Sequence, residues 1–210
     1  LKATLAAAAK DPEIVALLKN PFSLTPGFTG PKQPALNKPV FDDDLQMWSG
    51  PFVMAAINTR NVHRCNQLLG HPYGTDFVYD EMMLAGPGEK GQATAQAITK
   101  AMAGPDAAIG GKDGPKPGEG PSKEERDNGL YDILFVGHLA DGRELRAKVT
   151  GDKDPGYGST SKMIAESAVC LVRDATDVPG GFWTPGAAMG TRLIGRLVAN
   201  AGMTFDVEAA

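Results

Sequence analysis

LYDILFVGHLADGRELRAKVTG (residues 130–151) is the stretch from which the rest of this chain can be read. Two runs rich in strand-forming residues meet at Asp141-Gly142, a dipeptide that tolerates the positive backbone angles of a type I′ turn. The spacing predicts an antiparallel β-hairpin there. Downstream, a helix is expected over about 161–173, with Ile164, Ala168, Leu171 and Val172 on one face. A last helix begins at Thr184-Pro185, a cap followed by a first-turn proline, and ends near Gly202. MTFDVEA (203–209) closes the chain as a strand.

Upstream, residues 1–20 read as helical. LKATLAAAAK is rich in helix formers, and DPEIVALLKN opens with Asp11 as N-cap and Pro12 at the first helical position. PFSLTPGFTGPKQPALNKPVFDDD (21–44) carries five prolines and no periodicity. Phe22, Leu24, Phe28, Leu36, Val40 and Phe41 nonetheless need burial, so this is expected to be an extended segment draped over a neighbour. A helix is predicted over 51–69, stopped by Gly70, with Met54, Ile57, Cys65 and Leu68 near one face. TDFVYDEMMLA (75–85) reads as a strand and about 92–103 as a second helix. Residues 104–129 are loop by composition, apart from a short helical turn capped by Ser122 and Glu125. The order implies an α+β fold, with a mixed or largely antiparallel sheet covered by helices.

The chain has 210 residues, enough for one sizeable core or one domain with appendages. A net charge of -4 supplies no electrostatic reason to expect nucleic acid or an anionic membrane as partner. LAAAA (5–9) is too short for a membrane span or a signal-peptide core. Cys65 and Cys170 form no metal or redox motif and read as small buried hydrophobes. A reduced, cytoplasmic protein is expected. The chain begins at Leu1 rather than methionine, which suggests that something upstream has been removed.

GPGEKG (86–91) has the spacing G-x-G-x-x-G, between a strand-like and a helix-like run, as in a dinucleotide-binding loop. Two observations oppose that reading. Asp80 and Glu81 sit in the middle of the expected strand, and no parallel second strand follows the helix. An exposed turn is expected instead.

No metal site is expected, because His63 and Cys65 lie two apart on a helix and point to different sides. NTRNVHR (58–64) gathers Asn58, Arg60, Asn61, His63 and Arg64, either as an anion-binding helix end or as a solvated face. In GDKDPGYGSTSKMIAES (151–167), Ser159 or Thr160 is expected to cap a helix whose free N–H groups attract an anion. Lys162 and Glu166 share a face there, and a capped helix with a surface ion pair is the alternative. In GGFWTPGAAMG (180–190), Thr184 starts a helix and Phe182 and Trp183 supply pocket walls or packing.

Taken in order, GPFVMAAINTRNVHRCNQLLG (50–70), YGTDFVYDEMM (73–83), KPGEGPSKEERDNGLYDILFVG (116–137), GDKDPGYGSTSKMIAESAVCLVRD (151–174) and PGGFWTPGAAMGTRLIGRLVANAGMTFDV (179–207) resemble one family. It is the C-terminal half of saccharopine dehydrogenase-like oxidoreductases, a group that includes bacterial trans-acting enoyl reductases. The resemblance covers nearly everything from about Pro21 onward. It implies that NADP(H) is bound mainly by an upstream Rossmann domain, with none expected in this chain alone. Residues 50–210 would be an α+β substrate and dimerisation domain, and 1–49 a helical and extended segment packed on the missing domain. The substrate would be a small molecule with a carbonyl, imine or enoyl group, an acyl-like one among the options, and the assembly a homodimer.

Asp154 to Tyr157 and Thr184 to Gly190 match family motifs expected to face the interdomain cleft. The expected substrate contacts are Arg60, Asn61, Arg64, Tyr157, Lys162, Glu166 and Thr184, with Asp154 and Gly156 at the cofactor edge. No catalytic residue transfers, and the isolated piece is not expected to be active. The alternative is a non-catalytic dimerisation or interaction module that keeps the family fold.

Overall fold

The computed structural model describes residues 7, 10–35, 37–103 and 118–208. Most of the expected helix at 1–10, the burial of Leu36 and residues 104–117 of the expected loop therefore lie outside the described residues. The chain divides into two compact units, Leu1–Gly114 and Pro115–Ala210. Two three-stranded antiparallel sheets and the helices upon them make an α+β protein, as the sequence predicts.

In the first unit, α1 (Pro12–Lys19) starts as expected: Asp11 is the N-cap, and its carboxylate accepts the Glu13 N–H at 2.9 Å. β1 (Val40–Asp42), β2 (Met47–Pro51) and β3 (Met82–Gly86) form the sheet in that order. The sequence reading contains neither of the first two. Both are short, and β2 (MWSGP) ends in residues that read as a helix start. The helix α2 consequently begins later than predicted, at Ala55, and runs to Leu68. Gly70 follows it with φ 79°, the left-handed geometry that stops a helix.

The buried face of α2 is not the predicted one. Ala55, Thr59, His63 and Asn66 are buried, while Ile57 is 44% exposed. Thr59 and Asn66 in this polar stripe are hydrogen-bonded, whereas the buried His63 Nε2 has no hydrogen-bond partner among the described residues. The Thr59 hydroxyl donates to the Ala55 carbonyl at 2.7 Å. Asn66 donates to the Gly74 carbonyl at 2.9 Å and accepts from the Tyr73 N–H at 3.0 Å. His63 stacks on Phe22, with ring centroids 4.5 Å apart, and lies edge-on to Phe77. A hydropathy count cannot foresee a buried face built from hydrogen-bonded polar side chains and a stacked imidazole.

β3 leads through a short turn into α3 (Gly88–Ala103), whose fully buried Ala95 faces the sheet. Ile98 packs so closely on Gly50 of β2 that a methyl at Gly50 would lie 2.9 Å from it.

The second unit begins with α4 (Lys123–Asn128), opened by the expected reciprocal Ser122–Glu125 capping box. β4 (Tyr131–His138) and β5 (Glu144–Gly151) form the hairpin, and β6 (Met203–Glu208) pairs with β5. The turn is wider than a two-residue type I′. The Leu139 N–H donates to the Arg143 carbonyl, and the Gly142 N–H donates to the Leu139 carbonyl. Gly142 has φ 84°, but Asp141 is not in the left-handed region, as a type I′ turn would require. The loop is instead a three-residue turn closing on a left-handed glycine.

Helices α5 (Gly158–Arg173) and α6 (Pro185–Asn200) cover one face of this sheet. Cys170, Met189, Leu193, Leu197 and Met203 form the core, with Tyr131, Val149 and Phe205 packed against it. The opposite face carries Leu134 and Val136 among polar groups, including a Lys148–Asp132 ion pair and a Thr150–Thr204 hydroxyl contact. Cys170 is buried as expected, whereas Cys65 is only half-buried.

Candidate functional site

Within the first unit, the proline-punctuated segment folds back on α2 and borders an open cleft of ≈ 680 Å³. Its shape follows from a few anchors. Phe22 is buried against His63 and meets Phe28 edge-on, with centroids 6.0 Å apart. The Thr25 hydroxyl lies 2.9 Å from the carbonyls of both Phe22 and Phe28, holding the turn between them. Gln33 clamps the far wall: its amide nitrogen donates to the Pro31 and Phe77 carbonyls, and its oxygen accepts the Tyr79 N–H at 2.9 Å. The apolar residues that the sequence assigns to a neighbour are thus split. Phe22 is buried in its own unit, while Leu24, Val40 and Phe41 remain exposed.

Arg60 stands in the cleft wall beside Thr59. Its Nε donates to the Asn20 carbonyl at 3.1 Å and one Nη to the Ala56 carbonyl at 2.5 Å. These bonds fix the guanidinium plane between the end of α1 and the first turn of α2. Burial pulls its pKa below the ordinary arginine range. Tyr79 lines the same cleft, and its hydroxyl donates to Glu81 at 2.5 Å. Asn58 donates to the other Glu81 oxygen at 2.8 Å. Burial, reinforced by the Glu81 bond, raises the Tyr79 pKa. Tyr79, Gln33, Lys19 and Lys32 are cleft residues that the sequence reading missed. The usable signal was the pair of lysines flanking an aromatic, proline-rich run.

Of the other residues expected in this unit, Asn61 is exposed and donates to the Ile57 carbonyl of its own helix. Arg64 donates to the Gln67 side chain at 3.0 Å. Neither is among the residues lining the cleft.

The remaining expected contacts belong to the second unit. The start of α5 differs from the sequence reading, which leaves its N–H groups free for an anion. Asp154 occupies them itself, accepting from Gly156 at 2.9 Å, Tyr157 at 2.9 Å and Gly158 at 2.6 Å. These bonds, the Gly158 one foremost, hold its carboxyl below the usual aspartate range. Ser159 does not cap the helix; it is buried and shares a 2.9 Å contact with the Tyr131 hydroxyl. Tyr157 is 56% exposed, beside Gly120 and Arg126 in a shallow depression.

Lys162 and Glu166 each find another partner. Lys162 lies 3.9 Å from Asp152, and Glu166 binds Arg196 at 2.8 Å, which also reaches Asp174 at 3.0 Å. Thr184 caps α6 through the Ala187 N–H, as expected. Phe182 is 94% exposed, and the Trp183 indole donates to the Pro179 carbonyl, closing the turn before α6.

The G-x-G-x-x-G turn fits a dinucleotide only in part. Gly86 and Gly88 have φ of 98° and 62°, and Gly91 presses on the Gly86 carbonyl. The strand is MMLAG, so Asp80 and Glu81 precede it rather than interrupt it, and that objection falls. The topological objection stands. β3 lies at the edge of a sheet whose pairings are all antiparallel, so among the described residues it has no parallel neighbour to form the crevice in which a dinucleotide lies. Gly86, Gly88 and Gly91 thus form a strand-to-helix turn without the parallel topology of a dinucleotide cradle among the described residues.

This chain is similar to trans-acting enoyl reductases. Proteins of that name from Mycobacterium tuberculosis and Mycobacterium bovis are each 33% identical to it over 212 residues, and one from Mycobacterium ulcerans is 32% identical over 213. Each match covers 90% of this chain and 50% of the relative. The chain therefore spans about half the length of the curated relatives it matches. No family model matches it. No solved structure matches it. Among the described residues no helix is long and apolar enough to cross a membrane.

Proposed function

We propose that this chain is the substrate-side half of a saccharopine dehydrogenase-like, NADP(H)-dependent oxidoreductase that reduces an enoyl, carbonyl or imine group. The observation that carries this reading is the 33% identity to enoyl reductases across 90% of the chain. NADP(H) would be held mainly by residues outside those described, and residues 1–49 would contact that cofactor-binding part; exposed Leu24, Val40 and Phe41 support the contact. The cleft at Arg60 would receive the substrate, with Arg60 fixed by two backbone carbonyls so that its charge points the same way before and after binding. The assembly would be a cytoplasmic homodimer. A non-catalytic interaction module is the second reading. It draws on exposed Ile133, Phe135, Leu145 and Val207, which share one face of the second sheet.

The test is NADPH oxidation by the full-length protein against a panel of enoyl thioesters, carbonyl compounds and imines. Turnover is expected, and Arg60→Ala should lower kcat/KM about tenfold or more, the loss expected for one charge-assisted contact. Tyr157→Phe and Lys162→Ala test the second-unit residues in the same assay. NADPH binding without turnover of any substrate would remove the catalytic reading, and unchanged activity in all three variants would remove the site.

A further inference from the structure

Cations in the two units are treated differently. In the second unit several arginines and lysines are matched to carboxylates. Arg192 binds Asp177, Arg196 binds Glu166 and Asp174, Lys153 binds Asp127 and Lys148 binds Asp132. In the first unit, Lys19, Lys32 and Arg60 all line one cleft, and none of the lining residues is acidic. None of the three has a carboxylate partner among the described residues. Glu81, the acid behind Tyr79, has both oxygens committed to Tyr79 and Asn58. Two of the Arg60 nitrogens are spent on backbone carbonyls, which neutralise no charge.

The rest of the wall mixes neutral polar groups, Gln33, Thr59 and Tyr79 among them, with an apolar set of Phe22, Phe52, Pro21, Pro31 and Pro34. A half-buried guanidinium beside apolar rings, with no counter-charge, is an incomplete arrangement, because burial weakens its hydration without supplying a partner. An anion entering the cleft would complete it, and the apolar walls would bury whatever carries that anion. A cleft of ≈ 680 Å³ has the size of ordinary small-molecule sites.

We propose that the cleft binds an amphiphile, an apolar body ending in a carboxylate or phosphate, with Arg60, Lys19 and Lys32 around the anionic end and the Phe22–Phe52 wall against the apolar body. Arg60 is the specificity-determining contact, since it is the cation whose orientation the fold fixes. Lys19 and Lys32 add field and can swing to follow the head group. This rests on reading the cleft as the ligand site, but not on the chemistry assigned to the whole protein.

The experiment is calorimetric titration of the chain with octanoate, octyl phosphate and octanol, which share a tail and differ in the head, with inorganic phosphate as the head without a tail. At least one anionic probe is expected to bind about tenfold or more tighter than octanol, the ratio that one charge-assisted hydrogen bond supports. That advantage should shrink as salt is raised. The double variant Lys19→Glu, Lys32→Glu should weaken the anionic probe about tenfold and leave octanol unchanged. Both lysines are exposed, so this variant keeps the fold, whereas Arg60→Gln also removes two bonds that join α1 to α2. Octyl phosphate binding without octanoate assigns a phosphate head, and the converse a carboxylate. Octanol binding as tightly as the anions, anion affinity indifferent to the double variant, or no binding of any probe overturns the proposal. Anion binding with no reductase turnover in the full-length protein would leave it standing and remove only the enzymatic reading.

Discussion

Gly91→Ala puts local preference and tertiary packing in direct opposition. Gly91 lies inside α3, where replacing glycine by alanine ordinarily stabilises a helix by about 1 kcal/mol. A methyl group there would lie 1.9 Å from the Gly86 carbonyl oxygen and 2.5 Å from its carbon. Carbon and oxygen in ordinary contact stay about 3.3 Å apart, so strand end and helix must separate by roughly 1.4 Å. Gly91 is buried, and neighbouring Ala95 is fully so, leaving no slack to absorb the shift. Overpacking of this severity costs about 3 kcal/mol, at the upper end of its usual range, which outweighs the helix preference.

The assay is thermal unfolding followed by Trp48 fluorescence in a Trp183→Phe background, so that the first unit alone reports. At 2–4 °C per kcal/mol for a chain of this size, the net loss of about 2 kcal/mol predicts a fall of roughly 4–8 °C in Tm. Gly88→Ala is the companion variant: its methyl meets nothing within 4 Å, and only the positive φ opposes it, a cost of about 1–2 kcal/mol. An unchanged or raised Tm for Gly91→Ala would refute the account of this turn as a packing contact between strand and helix.

Two pH predictions follow from charged groups elsewhere. Burial lowers the pKa of His63 from 6.5, so the unfolded chain takes a proton that the folded one resists. Its contribution to stability is complete above about pH 6.5 and declines as pH falls below it, and His63→Leu should flatten that slope in urea titrations. Hydrogen bonds from Arg192 hold Asp177 at about 2, down from 3.8. Stability from this pair is full above pH 3.8 and lost as pH falls towards 2, and carboxyl-carbon NMR of Arg192→Gln should return the Asp177 midpoint towards 3.8.

Much of the architecture was legible in the sequence because it depends on signals confined to a few neighbouring residues. Asp11-Pro12, Ser122 with Glu125, Thr184-Pro185 and Gly70 mark helix ends through hydrogen bonds and backbone angles set within one turn. The hairpin at 131–151 and the strand at 203–208 announce themselves through composition alone. The candidate site was only partly legible. Arg60 could be singled out, but the roles of Lys19, Lys32, Gln33 and Tyr79 depend on a segment without periodicity folding back over α2.

The tertiary structure decided what no local rule contains. It buried Thr59, His63 and Asn66 rather than Ile57, with Thr59 bonded within its own helix, Asn66 bonded to the loop that follows, and His63 packed between the rings of Phe22 and Phe77. It gave Asp154 the N–H groups that the sequence had left for an external anion. It also sorted the cations, matching Arg192, Arg196, Lys153 and Lys148 of the second unit to carboxylates and leaving three to line one cleft in the first. Caps and turns are settled within a few residues, so sequence determines them. Counter-charges such as Arg192–Asp177 and Arg196–Glu166 come from 15 to 30 residues away, and only the folded chain determines which groups are satisfied and which remain available to a ligand.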